Sequence, residues 1–424
     1  MPTENLDTVC AKGCHVTNPR KIVPDSAVGV SFVGHSDQGG RGDATQVMIN
    51  KSHAFVGHVF SGGFSVIDVT DPRDPRTVNF IPTPANTWSI HLQTHGDLML
   101  VINEFDFYSQ YQRESDYYGR SINDTVGRPF TAGIRVYDIS DPASPREIGF
   151  MPVDGKGVHR IWWDGGRYAY ASVLPWGFTD HIFAVIDVAE PTRPREVGRW
   201  WFPGMWTAGG EEPTWTNRWA LHHAVVADDI AYCGWRDGGL VMLDVSDPTA
   251  PSLLAHRNWC PPFGGGSHSG LPLPARGLCL VPDEAIADNC ADGLKHIWVV
   301  DVSAPTNPVT ISTLPTPSEQ DYTNKGGHFG PHNVHENREG SFQSSELIFA
   351  TYQNAGLRIF DLADPFAPKE AGHFVPPSPA LWTDYRPNRP RVIHSSDVYV
   401  SADGLMYLTD FSGGGLDILQ YEGI

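Results

Sequence analysis

Gly356-Leu357-Arg358-Ile359-Phe360-Asp361-Leu362-Ala363-Asp364-Pro365-Phe366-Ala367-Pro368-Lys369 is a phrase that the chain writes along most of its length. It returns as GIRVYDISDPASPR at 133–146, as GFSVIDVTDPRDPR at 63–76 and as GLVMLDVSDPTAP at 239–251. Looser copies stand at 182–195 and 296–308, and a truncated one at 415–419.

Each copy joins an apolar run to Asp-Pro-x-x-Pro or a close variant. Runs such as Val66-Ile67, Val136-Tyr137 and Val299-Val300 are β-branched or aromatic and read as buried strands. The prolines lack an N–H and the aspartate favours a turn, so the strand ends there. A second short strand follows, as in Arg146-Glu147-Ile148-Gly149-Phe150. The anchor aspartates Asp68, Asp138, Asp187, Asp244, Asp301 and Asp361, with Gln420 in the last slot, are about 50 to 70 residues apart. That is room for four short strands with their turns. The repeat therefore predicts an all-β fold, a seven-bladed β-propeller of four-stranded antiparallel blades, with residues 1–424 forming one domain.

The last copy stops short of its outer strand. Asn18-Pro19-Arg20-Lys21-Ile22-Val23 looks like the piece that follows Asp-Pro elsewhere, so residues 17–24 are expected to complete the last blade. An N-terminal strand in that place closes the ring and removes two open sheet edges. The phrase resembles that of the LVIVD-repeat family of β-propellers, Gly-Leu-x-Val-apolar-Asp-Val-Ser-Asp-Pro. The resemblance extends over nearly the whole chain and implies a fold. That family has no single activity, so function has to come from the site.

Composition narrows the classes. The chain holds 43 Gly and 35 Pro, which suits many short strands and turns. A formal charge of −19 without a basic stripe argues against nucleic-acid partners and serves solubility. The opening Met1-Pro2-Thr3-Glu4 has no apolar signal segment, and no apolar run is long enough for membrane insertion, which points to the cytoplasm. Cys10 and Cys14 match neither a haem-attachment nor a zinc spacing and read as a buried or weakly reactive thiol pair.

Aligning the innermost strand of each repeat brings out a column of histidines. Its first position holds His91, His159, His223 and His332, with His394 a few residues ahead of its strand. Thr45 takes the place in the first repeat, and Arg276 or Gly277 in the fifth. Equivalent positions in a propeller are related by rotation, so these side chains should ring the channel mouth. Converging neutral imidazoles suit a divalent transition metal: iron first, with zinc, manganese, cobalt, nickel or copper compatible, and calcium or magnesium disfavoured. The bland alternative is a structural histidine bonding neighbouring strands. Against it, the first and fifth repeats keep the phrase and lose the histidine. His222, His335 and His95 are read as supporting or structural, because strand alternation sends His222 away from the face of His223, and His335 away from that of His332.

Long insertions rich in aromatics, at 200–215, 259–268, 322–331 and 381–386, are expected on the same face. They suit a lid over the channel mouth and an apolar or aromatic small-molecule substrate, or else simple packing of loops onto the scaffold. A further insertion at 104–129 lies in the second repeat. Glu104, Asp180, Glu211 and Glu212 are the acid/base candidates, with Glu336 and Asp410 beside them, and nothing in their spacing selects one. No Ser/His/Asp order, phosphate loop or dinucleotide fingerprint stands in a fitting context.

The expectation is a metal-dependent enzyme with a histidine-held metal on the propeller axis. An oxygenase with iron comes first and a lyase or hydrolase second, and a non-catalytic binding scaffold is the reading from another class. The oxygenase reading is similar in geometry to the carotenoid-cleavage oxygenases, another seven-bladed propeller family with a four-histidine iron centre, although their sequence motifs are absent here.

Overall fold

In the computed structural model, residues 22–109 and 127–423 are described. Among the described residues the regular elements are antiparallel strands and a few short 3-10 turns, and no helix is long and apolar enough to cross a membrane.

The repeated phrase folds the same way each time. Its apolar run is the third strand of a sheet, as in Gly63–Asp68, Gly133–Asp138 and Leu357–Asp361. In each the pairing to the outer strand slips by one residue just before the anchor aspartate, at Val66/Ile67, Val136/Tyr137 and Ile359/Phe360. This recurring bulge sharpens the twist of the outer hairpin. The anchor carboxylate then accepts the N–H two residues on: Asp68 from Thr70 at 2.9 Å, Asp138 from Ser140 at 2.9 Å, Asp361 from Ala363 at 2.8 Å. The next aspartate does likewise, Asp364 from Phe366 at 3.0 Å, and its carbonyl accepts Ala367 N–H at 3.1 Å to close the turn. So Asp-x-x-Asp-Pro is two side-chain-closed turns in a row.

Among the described residues, five sheets have four strands each and the other strands form one sheet of nine. The expectation of seven separate four-stranded sheets is thus corrected. The reason is the strand Leu98–Phe105, which runs on far enough for Glu104 to pair with Gly157 of the following unit. Gly157 has φ of +120°, and a Cβ there would lie 2.2 Å from the Asn103 carbonyl, so only glycine permits the approach.

The expected role of residues 17–24 is also corrected. Residues 17–21 lie outside the described residues, and 22–24 belong to no strand. The N-terminal segment that completes the C-terminal sheet is Val30–Ser36, paired from Val30 opposite Tyr421 to Ser36 opposite Leu416. Ser26–Val28 instead adds to Lys369–Val375. Gly34 seats Val30–Ser36 against the first repeat, since a Cβ would lie 2.0 Å from Pro72 O. Gly149 meets Pro191 O and Gly198 meets Pro248 O in the same way, so a bare outer strand against the next unit's Asp-Pro or Glu-Pro turn is how neighbouring sheets close on each other.

The core lies between sheets, with Ile134, Val136, Ile161, Val173, Val185 and Val241 in one continuous apolar cluster. Rigid sheets on this core hold the inner strand ends in place.

Candidate metal centre on the inner strands

The inner strands begin at polar positions, buried at His91, His222 and His223 and half-buried at His159 and His394. His91 precedes Leu92–His95, His159 lies within Gly155–Trp162, His222 and His223 within Trp219–Ala227, and His394 precedes Ser395–Val400. The fifth inner strand is Leu271–Leu273, so its leading histidine is His268. The sequence alignment placed Arg276 or Gly277 there, but these residues end a short turn after that strand. Ser267 fixes His268 by bridging Arg236 on one side and Asp283 on the other.

Two irregularities gather these side chains. Pairing of Gly155–Trp162 passes from Val158 opposite Val173 to Arg160 opposite Ser172, leaving His159 in a bulge. A second slip spans Trp219 to His223. Bulges re-aim side chains, and simple alternation fails across them. His222, expected to face away, therefore meets His159 Nε2 to Nε2 at 3.0 Å and packs on His268 with ring centres 3.9 Å apart. His332 follows, 4.5 Å from His268 between ring centres. Glu284 faces both, at 3.7 Å from His268 Nε2 and 3.5 Å from His332 Nε2. The donor atoms of His222, His268 and Glu284 fall within 4.8 Å of one another, as do those of Glu104, His159 and His181.

Hydrogen bonds fix the tautomers. His159 Nδ1 faces Glu104 Oε2 at 2.7 Å, His222 Nδ1 faces the His268 carbonyl at 3.0 Å, and His332 Nδ1 faces the Ser396 carbonyl. All are acceptors, so each Nδ1 carries the proton and each Nε2 offers a lone pair inward. Burial holds the rings neutral, bringing His159 and His332 down to about 4. Glu104 resists burial and stays ionised at about 2, held by His159 and His181. His181 has carboxylates at both nitrogens, Glu104 at 2.5 Å and Asp180 at 2.7 Å. Burial opposes its charge, but these partners outweigh it and raise its pKa. Arg218 closes the row against Asp180 at 2.7 Å.

Of the five expected ligands, His159 meets His222 and His332 meets His268, so the two ends of the row are linked through histidines that the alignment had not chosen. His91 and His223 pair with each other instead, 5.3 Å between ring centres, and His223 Nε2 bonds Glu336 at 2.8 Å. His394 stacks on Phe411 and lies 6.2 Å from His332. Carboxylates stand beside the imidazoles as Glu104 and Glu284. Asp180 stands behind His181, whose ring separates it from Glu104. Glu211 braces its own loop through the N–H groups of Gly204 and Trp206, at 2.7 and 3.0 Å, and Glu212 is exposed. Asp410 accepts the N–H groups of residues 412–414 and shapes that loop. His335 is bonded to backbone at both nitrogens, and His95 lies against Trp163. The insertion aromatics pack largely on one another, as where Phe60, Tyr108 and Phe411 meet under Arg386. Residues 110–126 of the insertion at 104–129 lie outside the described residues.

The LVIVD repeat profile matches residues 130–151, 224–257 and 290–316. No curated protein matches the sequence. Among solved structures, the chain is similar to a hypothetical selenium-binding protein from Sulfolobus tokodaii, with TM-score 0.56 and 11% identity over 87% of this chain and 84% of that one. It is also similar to the Cps50 (Swd1) β-propeller domain of Myceliophteria thermophila, with TM-score 0.54 and 13% identity over 92% and 98%. The periplasmic gluconolactonase of Pseudomonas aeruginosa gives TM-score 0.52 and 12% identity over 86% and 93%. At these identities the likeness is one of fold. The chain thus carries LVIVD repeats and folds as a β-propeller.

Proposed function

We propose that this protein is a metal-dependent enzyme whose transition metal is held by His159, His222, His268 and His332 with Glu284, and that it acts on a small molecule. What carries the reading is the approach of His159 Nε2 to His222 Nε2 at 3.0 Å, while acceptors at both Nδ1 atoms favour the tautomers whose Nε2 atoms are bare. Two such lone pairs repel, and a cation is what makes their approach favourable. His222, His268 and Glu284 form a two-histidine, one-carboxylate set, which favours iron and the oxygenase reading. Bound there, the metal would supply dioxygen or Lewis-acid chemistry. The chain's own groups do the rest. Glu104 and the carbonyls of residues 268 and 396 aim the imidazoles, Arg236 orients Glu284, and burial keeps bulk water out.

A lyase or hydrolase is the second reading, favoured by Asp397. Burial pushes its carboxyl up to about 7 in the cavity that Arg160 also lines, a value suited to proton transfer. An apolar or aromatic body remains the expected substrate in either case. We also read the nine-stranded sheet as two blades joined at the Glu104–Gly157 pair, which makes seven blades in one domain. The described cysteines, Cys233, Cys260, Cys279 and Cys290, are free thiols, in keeping with a cytoplasmic site of action.

Elemental mass spectrometry of untagged protein, purified without added metal, tests the centre. About one equivalent of iron supports the oxygenase, and about one of zinc, manganese, cobalt, nickel or copper turns the reading to lyase or hydrolase chemistry. Under about a tenth of an equivalent, unchanged by reconstitution, overturns the centre and leaves a binding scaffold.

A further inference from the structure

Away from the histidine cluster, a cavity of about 290 Å³ lies beside the C-terminal sheet, between the strand Val30–Ser36, the turn at residues 413–415 and the loop 376–381. Its walls are mostly apolar, with Pro376, Pro377, Pro379, Leu381, Ile393 and Leu408 among them. The three prolines fix the backbone of the loop. Thr383 then ties the loop to the glycine turn, its N–H and its hydroxyl both donating to the Ser412 carbonyl, at 2.9 and 2.8 Å. The cavity is therefore formed before any ligand arrives. Among its described lining residues are none of His159, His222, His268, His332 and Glu284.

His35 lines this space with Asp417 behind it. The two stand opposite each other across the pair that joins Val30–Ser36 to the last strand, Nδ1 to Oδ1 at 2.7 Å. The carboxylate accepts, which favours the tautomer with its proton on Nδ1 and a lone pair on Nε2. Pinning the strands together needs only Nδ1, and Nε2 has no partner among the described residues. Gly415 has φ of +80°, and a Cβ there would lie 3.0 Å from His35 Cε1 and 3.4 Å from Nε2, so the bare glycine leaves that edge of the ring uncovered. The other carboxylates are engaged. Asp410 accepts the N–H groups of residues 412–414 and of His394, and Asp37 accepts Gly39 N–H at 3.0 Å. No lysine or arginine is among the described lining residues, so an anion finds no counter-charge there.

We propose that this cavity binds a compact, uncharged molecule with an apolar body and one hydroxyl group, which donates to His35 Nε2. Its volume of about 290 Å³ suits a body of about ten non-hydrogen atoms, such as two fused rings. A ligand without the donor would cover Nε2 and leave it unbonded, which is the basis of selection. The site goes beyond the proposed function and stands whether or not the metal centre does.

The test is calorimetric titration of full-length protein with 2-naphthol, its methyl ether and 2-naphthoate, before and after treatment with a chelator. The expected result is that naphthol binds about tenfold or more tighter than either relative, with or without chelation. Ala380→Trp, which sets a bulky side chain at an exposed position on the cavity wall, should abolish that binding. His35→Phe should bring naphthol down to the level of the ether at unchanged circular dichroism. No binding of naphthol, or an ether or naphthoate that binds as well, overturns the proposal on the wild type alone, whether or not the variants fold. Binding that survives Ala380→Trp, or that is lost with chelation, lies elsewhere and overturns it too. A preference kept in His35→Phe does the same. Metal content measured on the same samples bears only on the metal centre, so either reading can fail without the other.

Discussion

His159 and His222 point bare Nε2 atoms at each other across 3.0 Å because Glu104 and the His268 carbonyl have claimed the protons of their Nδ1 atoms. Every prediction about the centre descends from that arrangement.

Adjacent residues should differ sharply. His222→Ala removes one of the facing lone pairs and should lower metal content at least about tenfold with the fold intact. His223→Ala, which breaks a bond to Glu336 instead, should leave metal content near wild type. Mass spectrometry on both variants decides it, and equal losses would mean the two histidines act in one site.

Glu104→Gln keeps the shape of the side chain but lets an N–H face His159 Nδ1. The ring would then turn its proton toward His222. Metal affinity should fall by about 10- to 100-fold, read by competition with a chelator. Unchanged affinity would take His159 out of the ligand set.

Acid sensitivity should be traceable to a histidine outside the centre. His335 donates to Phe342 O at 2.8 Å and accepts Val400 N–H at 3.2 Å, and burial brings it from 6.5 down to about 4. The unfolded chain therefore binds the proton first. Its contribution to stability is full above 6.5 and is lost as pH falls toward 4. His335→Gln should flatten the pH dependence of the urea midpoint in that window, and a slope equal to wild type would refute the assignment.

Gly34→Ala places a methyl 2.0 Å from the Pro72 carbonyl. It should destabilise by about 1–3 kcal/mol, seen as a lower Tm, because neither backbone can retreat without parting two sheets. Gly40→Ala is a weak control for space alone, since nothing lies near its Cβ but its φ is +82°.

The fold was legible because each copy of the phrase carries its whole mechanism locally: apolar run, bulge, two aspartate-closed turns. The candidate site was legible only in part. His159 and His332 stood out, but the choice of His223 over His222 assumed unbroken alternation, and a bulge is a single extra residue with no spelling of its own. His268 was missed because its strand, Leu271–Leu273, is short and carries Pro272, so the more strand-like Leu278–Pro282 drew the alignment. Placing 17–24 in the last sheet followed the Asn-Pro echo, whereas Gly34, matching Gly149 and Gly198, marked the right segment. Glu284 gave no pattern to read, since its place beside His268 and His332 arises from chain segments apart in sequence.

The pairing of Val30–Ser36 with Leu416–Tyr421 also sets an order of events on the ribosome. His35 leaves the exit tunnel 382 residues ahead of Asp417, its partner across the pair, and has to wait for it. Intermediate sheets can fold as they emerge, yet the ring stays open at one seam throughout synthesis, with two raw edges exposed to other nascent chains. Slowing synthesis just ahead of Leu416–Tyr421 should therefore raise misassembly more than slowing a stretch between other sheets.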